Sequence, residues 1–256
     1  MIQGIDHLVV VVNDLDQAAK DYARLGFTVV PGGRHPVGSH NVLIAFADGS
    51  YLEIIAFYRE APDHRWWNPL REGERLVDIC LQTDDLRGDT KKLQDAGVAI
   101  NDPVPWSRKR PDGYELQWRL SLATGNHRGV APFLIEDVTP RNERIPQQFE
   151  HRNGVAGIKK VTVAVSDLGQ IEKWYAALLG AKATAITDTE LDAEGLRFQA
   201  GPQTLEFVEP RGAAGPLADW LRRFGPSIYS ATLESRSGST GQFDSHLTHG
   251  AAFFVA

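Results

Sequence analysis

The chain carries the stretch GIDHLVVVVNDL at residues 4–15 and a related stretch, GIKKVTVAVSDL, at residues 157–168. At the same spacing, YLEII at residues 51–55 is matched by TLEFV at residues 204–208. Because a repeated segment predicts a repeated structural unit, we interpret the chain as an array of similar modules. The two copies differ at one chemically important position, where His7 of the first copy is replaced by Lys160 in the second.

The first repeat predicts a βαβββ module over residues 1–60. Residues 5–12 form an apolar run that Asn13-Asp14 ends, which is typical of a buried strand. An Asp N-cap and apolar residues spaced three and four apart predict a helix that stops at Gly26. Strands are then expected near 27–31, 41–47 and 51–57, with the tight-turn dipeptide Asp48-Gly49 between the last two.

Looser copies of this module follow along the chain. In the second module, at residues 75–137, the predicted elements are a strand at 76–83, a helix at 86–96 and strands at 114–122 and 131–137, with a proline-containing surface loop at 101–112. A polar linker is expected at 141–154. The remainder, 155–256, is interpreted as a second, degenerate domain: a third module at 157–210, then a truncated fourth with a helix at 216–224, a strand at 227–234, a helix at 240–249 and a strand at 251–255. We therefore expect an α+β fold with a first domain at 1–140.

Composition excludes several classes of protein. The net charge of −6 and the absence of a Lys/Arg cluster argue against a nucleic-acid partner. The single cysteine, Cys80, lies in an apolar run and is expected to be a buried thiol. With no apolar stretch of membrane-spanning length and no leader-like start, we expect a cytoplasmic protein. We also expect its partner to be a small molecule, and the protein to be a monomer or homodimer.

Four motifs carry a family resemblance: residues 6–9 (DHLV), 32–36 (GGRHP), 38–41 (GSHN) and 48–55 (DGSYLEII). Over residues 4–137 the chain resembles the vicinal-oxygen-chelate superfamily, which includes glyoxalase I, extradiol dioxygenases and bleomycin-resistance proteins. The likeness is greatest to its glyoxalase-like domain group. The resemblance implies βαβββ modules paired into cup-shaped mixed sheets, with His7 on the first strand and Glu53 on the fourth both facing the cup.

The same resemblance implies a divalent metal (Zn, Fe, Mn, Co or Ni) at His7 and Glu53. A third ligand would be His40, at the start of the third strand, or Asp78, which occupies the position of His7 in the second module; His35 in the glycine-rich loop is a further candidate. Two alternatives remain open. Without a metal, His7 and Glu53 would form an acid–base couple in a pocket, or they would be a purely structural pair.

Other residues are candidates for contacts with a substrate. Arg34 and Arg119 could bind a carboxylate or phosphate, and His35 and Trp118 could line the pocket. In the third module, an ion pair between Lys160 and Glu206 is expected to replace the metal, so that only the N-terminal cup functions. The leading hypothesis is an enzyme with lyase, isomerase or dioxygenase chemistry on an oxygenated substrate. The alternatives are a metal-free ligand-sequestering protein of the bleomycin-resistance type and an interaction module with a degenerate site.

Overall fold

The first two repeats form the first eight strands. The computed structural model describes residues 1–256, and its N-terminal half contains β1 (Ile2–Val11), α1 (Leu15–Arg24), β2 (Val30–Arg34), β3 (Ser39–Ala45), β4 (Tyr51–Phe57), α2 (Trp67–Glu72), β5 (Arg75–Thr83), α3 (Leu86–Asp95), β6 (Val104–Lys109), β7 (Glu115–Ser121) and β8 (Phe133–Asp137). Each long helix begins at an aspartate N-cap, since Asp14 accepts a hydrogen bond from the Gln17 amide and Asp85 from the Gly88 amide.

These eight strands close into a barrel in the order β1-β4-β3-β2-β6-β7-β8-β5. The two modules meet along β1 and β5, which are antiparallel over most of their length. On the opposite side they meet only where Arg34 of β2 pairs with Lys109 of β6. The barrel therefore has one broad junction and one narrow junction between its modules.

The C-terminal half forms an open sheet. After the short helix α4 (Arg141–Arg144), the elements are β9 (Val155–Ala164), α5 (Leu168–Leu179), β10 (Thr184–Asp188), β11 (Ala193–Ala200), β12 (Gln203–Pro210), α6 (Pro216–Phe224), β13 (Ser227–Ser235), β14 (Gly241–Gln242) and β15 (Phe253–Val255). The seven strands run in the order β10-β11-β12-β9-β13-β15-β14. This confirms the predicted α+β fold of repeated βαβββ modules with a truncated fourth.

Alternating side chains of β1 serve two different cores. Leu8 and Val10 belong to a cluster of 44 buried residues that also includes Val161 and Val163 of β9. Val9 and Val11 belong instead to the cluster inside the barrel. Because successive side chains of a strand point to opposite faces, one face of β1 joins the two halves and the other builds the barrel interior.

Two sequence-based predictions of local structure are wrong. The expected surface loop at 101–112 contains strand β6, whose Arg108 is buried. The expected helix at 240–249 does not form; β14 and a series of turns occupy this segment. There the Asp244 carboxylate accepts a hydrogen bond from the His246 amide, and His249 has a φ of 55°, so local side-chain bonding and a left-handed residue interrupt a helix.

None of the helices combines the length and the apolar character needed to cross a bilayer.

Candidate functional site

The barrel interior holds a cavity with a polar floor and aromatic walls. Its volume is about 460 Å³, within the range of roughly 300–1,000 Å³ that is usual for small-molecule sites. The polar lining includes His7, His35, Asn41, Glu53 and Arg108, and the aromatic lining includes Tyr51, Trp66, Trp106, Trp118 and Phe133. The cavity is therefore suited to a molecule with both polar and apolar parts.

The floor of this cavity is built by His7 and Glu53. They lie on the neighbouring parallel strands β1 and β4, in a register that pairs Val9 with Glu53. His7 Nε2 is 3.4 Å from Glu53 Oε2, and both side chains are buried while still lining the cavity. The structure thus brings together the imidazole and the carboxylate that the family resemblance implies would both face the cup.

Asp6 supports His7 from the side away from Glu53. A register shift between β1 and β5 at Ile5 and His7 leaves Asp6 as an extra residue on β1, and the Asp6 Oδ1 lies 2.7 Å from His7 Nδ1. The Asp6 carboxylate is itself held by Arg144, whose Nη2 is 2.8 Å from Asp6 Oδ2, and by Arg141. His7 consequently lies between two carboxylates with its ring orientation fixed.

This arrangement sets the charges of the floor. Burial opposes protonation of His7, but the hydrogen bonds to Asp6 and Glu53 outweigh it and raise the pKa of the imidazole. For Glu53, burial opposes ionisation, but the hydrogen bond and charge of His7 lower the pKa of the carboxyl to about 2. The Asn41 Nδ2 also donates to Glu53 Oε1 at 2.5 Å. Glu53 is therefore an oriented anion at neutral pH.

A second imidazole, His35, approaches the same carboxylate. Its Nε2 lies 3.9 Å from Glu53 Oε1, and its Nδ1 is 3.0 Å from Ser39 Oγ. Desolvation on burial lowers the pKa of His35 to about 4, which leaves the ring neutral at pH 7 and able to act as a ligand or proton acceptor.

The side chains on the floor offer the donor types that a divalent transition metal prefers. Two imidazole nitrogens, Nε2 of His7 and of His35, face one carboxylate, Glu53, which is the ligand chemistry of a 2-His-1-carboxylate site. Each ring has its other nitrogen next to a polar partner, as metal-binding histidines usually do. The Asp6 carboxylate can only accept and so fixes the tautomer of His7, whereas the Ser39 hydroxyl can donate or accept and orients the His35 ring. The one cluster of three possible ligand atoms that all lie within 4.8 Å of one another is formed by Asp6, His7 and Cys80. In that cluster Asp6 is already paired with two arginines.

The structure places the other two predicted metal ligands elsewhere. Cys80, and not Asp78, pairs with His7 across the β1–β5 junction. The Asp78 carboxylate accepts a hydrogen bond from Trp66 Nε1 at 2.8 Å and is 2.7 Å from Arg65 Nη2. His40 contacts the ring of Tyr58 and lines a separate surface depression. Both side chains are therefore engaged away from the His7–Glu53 pair.

Of the four predicted substrate contacts, His35 and Trp118 line the cavity. Arg34 lies over the ring of Tyr58 at 5.0 Å, in the same surface depression as His40. Arg119 has a side chain that is 60% exposed and lies 3.8 Å from Glu136. The two arginines chosen from the sequence are thus both outside the cavity.

The cavity is lined by three arginines that the sequence analysis does not single out, Arg65, Arg108 and Arg144. Arg108 falls in the expected surface loop and Arg144 in the expected linker, yet both are buried and line the cavity. For Arg108 a signal existed, because Trp106 and Arg108 alternate with the two-residue period of a strand. Arg144 carries no such signal, since it reaches Asp6 from a polar segment far along the chain.

In the third module, the carboxylate that corresponds to Glu53 is Glu206, and it is engaged in ion pairs. Lys160 Nζ is 2.7 Å from Glu206 Oε2, and Arg197 Nη2 is 2.6 Å from Glu206 Oε1. The predicted Lys160–Glu206 pair is confirmed. Two cations thus neutralise the carboxylate at the position that corresponds to Glu53.

Comparison with known proteins identifies the family. The glyoxalase-like domain family matches residues 5–179. No curated protein has a significant sequence match to the chain. Among solved structures, a hypothetical protein from Staphylococcus aureus is 14% identical with a TM-score of 0.71, and the alignment covers 98% of each chain. A triple mutant of 4-hydroxymandelate synthase from Streptomyces coelicolor is 16% identical with a TM-score of 0.65, over 91% of this chain and 71% of that one.

Both structural likenesses are at low identity and show the shared fold. Together with the sequence match over residues 5–179, they agree with the closed barrel of paired βαβββ modules. The chain therefore belongs to the glyoxalase-like domain family.

Proposed function

We propose that this protein is an enzyme that acts on a small oxygenated organic molecule in the N-terminal barrel, with a divalent metal held by His7, His35 and Glu53. One observation carries the proposal: two buried imidazoles present Nε2 to a single carboxylate, at 3.4 and 3.9 Å. Lyase, isomerase and dioxygenase chemistry are the reaction classes we assign to this site. When bound, the metal would polarise a substrate carbonyl or stabilise an enediolate.

The residues around this triad have separate roles in the proposal. Asp6 holds His7 in one tautomer and one orientation through the 2.7 Å contact with Nδ1. Asn41 holds the Glu53 carboxylate, and the aromatic walls exclude water from the floor. Because the cavity is enclosed by the barrel, we propose a small molecule as the partner.

Metal analysis of the purified protein tests the proposal. Wild-type protein expressed in metal-supplemented medium should retain close to one equivalent of a transition metal, measured by inductively coupled plasma mass spectrometry. His7→Ala, His35→Ala and Glu53→Ala should each lose most of it, because each removes one of three ligands.

His40→Ala is the matched control, since His40 lies in the surface depression beside Tyr58 and should leave the metal content unchanged. Circular dichroism would verify that each variant is folded. Wild-type protein that holds no metal, or loss of metal in the His40 variant alone, would contradict the proposed ligand set.

The second candidate function is metal-free ligand sequestration, and the aromatic walls favour it. Trp66, Trp118 and Phe133 are buried and line the cavity together, which is a surface that can bind an apolar ring without any chemistry. Tight binding of an aromatic ligand by protein that takes up no metal would support this function over the first.

A further inference from the structure

Arg108 is a buried cation that has no anionic partner. Its residue is 4% exposed, and it lines the cavity from β6. The other deeply buried arginines are paired: Arg75 Nη2 is 2.8 Å from Glu72, and Arg144 Nη2 is 2.8 Å from Asp6. Since an unpaired buried charge is costly, the environment of Arg108 is electrostatically incomplete as it stands.

The hydrogen bonds of the Arg108 guanidinium do not use all of its donors. Nη1 donates to Asn41 Oδ1 at 3.5 Å, the long limit for such a bond, and Nη2 donates to the Arg144 carbonyl at 3.1 Å. The Nε is buried without any partner. A guanidinium carries five N–H donors, so several remain free for an acceptor. Burial also lowers the pKa of Arg108, as expected for a cation that lacks a counter-ion.

The neighbours of Arg108 define the shape of the missing partner. Asn41 touches both Arg108 and Glu53, so a single amide group separates the guanidinium from the proposed reaction centre. On the other side, Trp106 precedes Arg108 by two residues on β6 and pairs with Trp118 of β7. All of these side chains line the same cavity. An anion at Arg108 would thus have an apolar wall on one side and the reactive floor on the other.

We propose that Arg108 binds the carboxylate of the substrate, and that the substrate is a small carboxylic acid whose apolar body packs against Trp106 and Trp118. A planar guanidinium matches a carboxylate through paired hydrogen bonds, and such bonds are strong where water is excluded. This inference rests on the proposed function for its reaction centre, but it concerns binding alone. It replaces the two surface arginines, Arg34 and Arg119, as the anion-binding group.

Binding of two matched probes tests the inference. Phenylacetate and phenylacetamide have the same ring and nearly the same shape, and they differ in charge. Titration of EDTA-treated protein, followed by calorimetry and by the fluorescence of the cavity tryptophans, should show phenylacetate binding at least about tenfold more tightly. Removal of metal ensures that a contact between the carboxylate and a metal does not contribute to the difference in affinity between the two probes.

Arg108→Gln should abolish this preference, because glutamine cannot pair with a carboxylate through a charged fork. Arg108→Lys keeps the charge and should retain part of the preference. Arg119→Gln, on the exposed side of the adjacent strand, is the control and should bind both probes as the wild type does.

Several outcomes would overturn the inference. Equal binding of acid and amide to the wild type would do so without any variant, even if Arg108→Gln failed to fold. A folded Arg108→Gln protein that still prefers phenylacetate to phenylacetamide would also overturn it. So would displacement of phenylacetate by inorganic phosphate at equal concentration. Metal content reports on the proposed function separately, so a protein that binds metal and shows no acid preference would refute this inference alone.

Discussion

At the scale of single residues, the floor of the barrel depends on a side chain from a distant segment. Arg144 bonds to Asp6 at 2.8 Å, to the Tyr51 hydroxyl at 2.9 Å and also to Asp137. The Arg144 side chain is 3% exposed. Because Asp6 also fixes the ring of His7, this arginine links the stability of the barrel to the geometry of the site.

Arg144→Met should therefore be strongly destabilising. It would leave Arg141 as the remaining arginine beside both Asp6 and Asp137. Loss of one partner from a buried pair costs about 3–5 kcal/mol. Urea unfolding measures the change in the free energy of unfolding. Arg222→Met is the control, because Arg222 and Asp219 form an exposed pair whose loss should cost less than about 1 kcal/mol. Equal losses in the free energy of unfolding for the two substitutions would show that the burial of the Arg144 ion pairs adds nothing to stability.

At the scale of elements, the narrow junction between β2 and β6 is the weak point of the barrel. Arg34 and Lys109 form the only residue pair of this ladder, whereas β1 and β5 are paired along most of their length. Gly33 lies at the junction with a φ of 141°, and a Cβ at this position would collide with the Lys109 carbonyl. Glycine thus allows β6, which carries Arg108, to approach β2.

Gly33→Ala should open this junction. The combined strain and collision should cost more than the roughly 1–3 kcal/mol of an unfavourable backbone conformation alone, and amide exchange in β6 should become faster. Gly49→Ala is the matched control: it has a φ of 84°, but nothing lies within 4 Å of the added Cβ. Hydrogen–deuterium exchange resolved by element makes the comparison. Unchanged amide exchange in β6 of the Gly33→Ala variant would mean that the β2–β6 junction does not control the local opening of this strand.

At the scale of the whole molecule, the two halves share a core. Residues of β1 and of β9 belong to one cluster of 44 buried residues. Several hydrogen bonds also cross between the halves. For example, the Tyr175 hydroxyl donates to the Val130 carbonyl at 2.7 Å, and the Tyr22 hydroxyl donates to the Thr248 carbonyl at 3.0 Å. The C-terminal half therefore supports the barrel that contains the cavity.

We expect the protein to unfold in one cooperative transition. Differential scanning calorimetry should show a single peak, and the fragment 1–154 should lack a cooperative transition because it would expose the face of β1 that carries Leu8 and Val10. Circular dichroism of the fragment would show whether any secondary structure persists. A fragment that unfolds with the midpoint of the full chain would show that the halves are energetically independent.

The sequence by itself determined the repeated βαβββ modules and the positions of His7 and Glu53. The modules follow from the repeat and from local patterns, since a strand or helix imposes its periodicity on the residues within it. The position of His7 and Glu53 in the cup follows from the family resemblance. The tertiary structure alone decided which other residues meet them. Cys80 and not Asp78 lies beside His7 because the β1–β5 register shifts, and Arg108 and Arg144 reach the cavity from segments whose prolines and charges suggested exposed chain. The register of β1 against β5 is displaced by bulges, and contacts between distant segments depend on how the whole barrel closes.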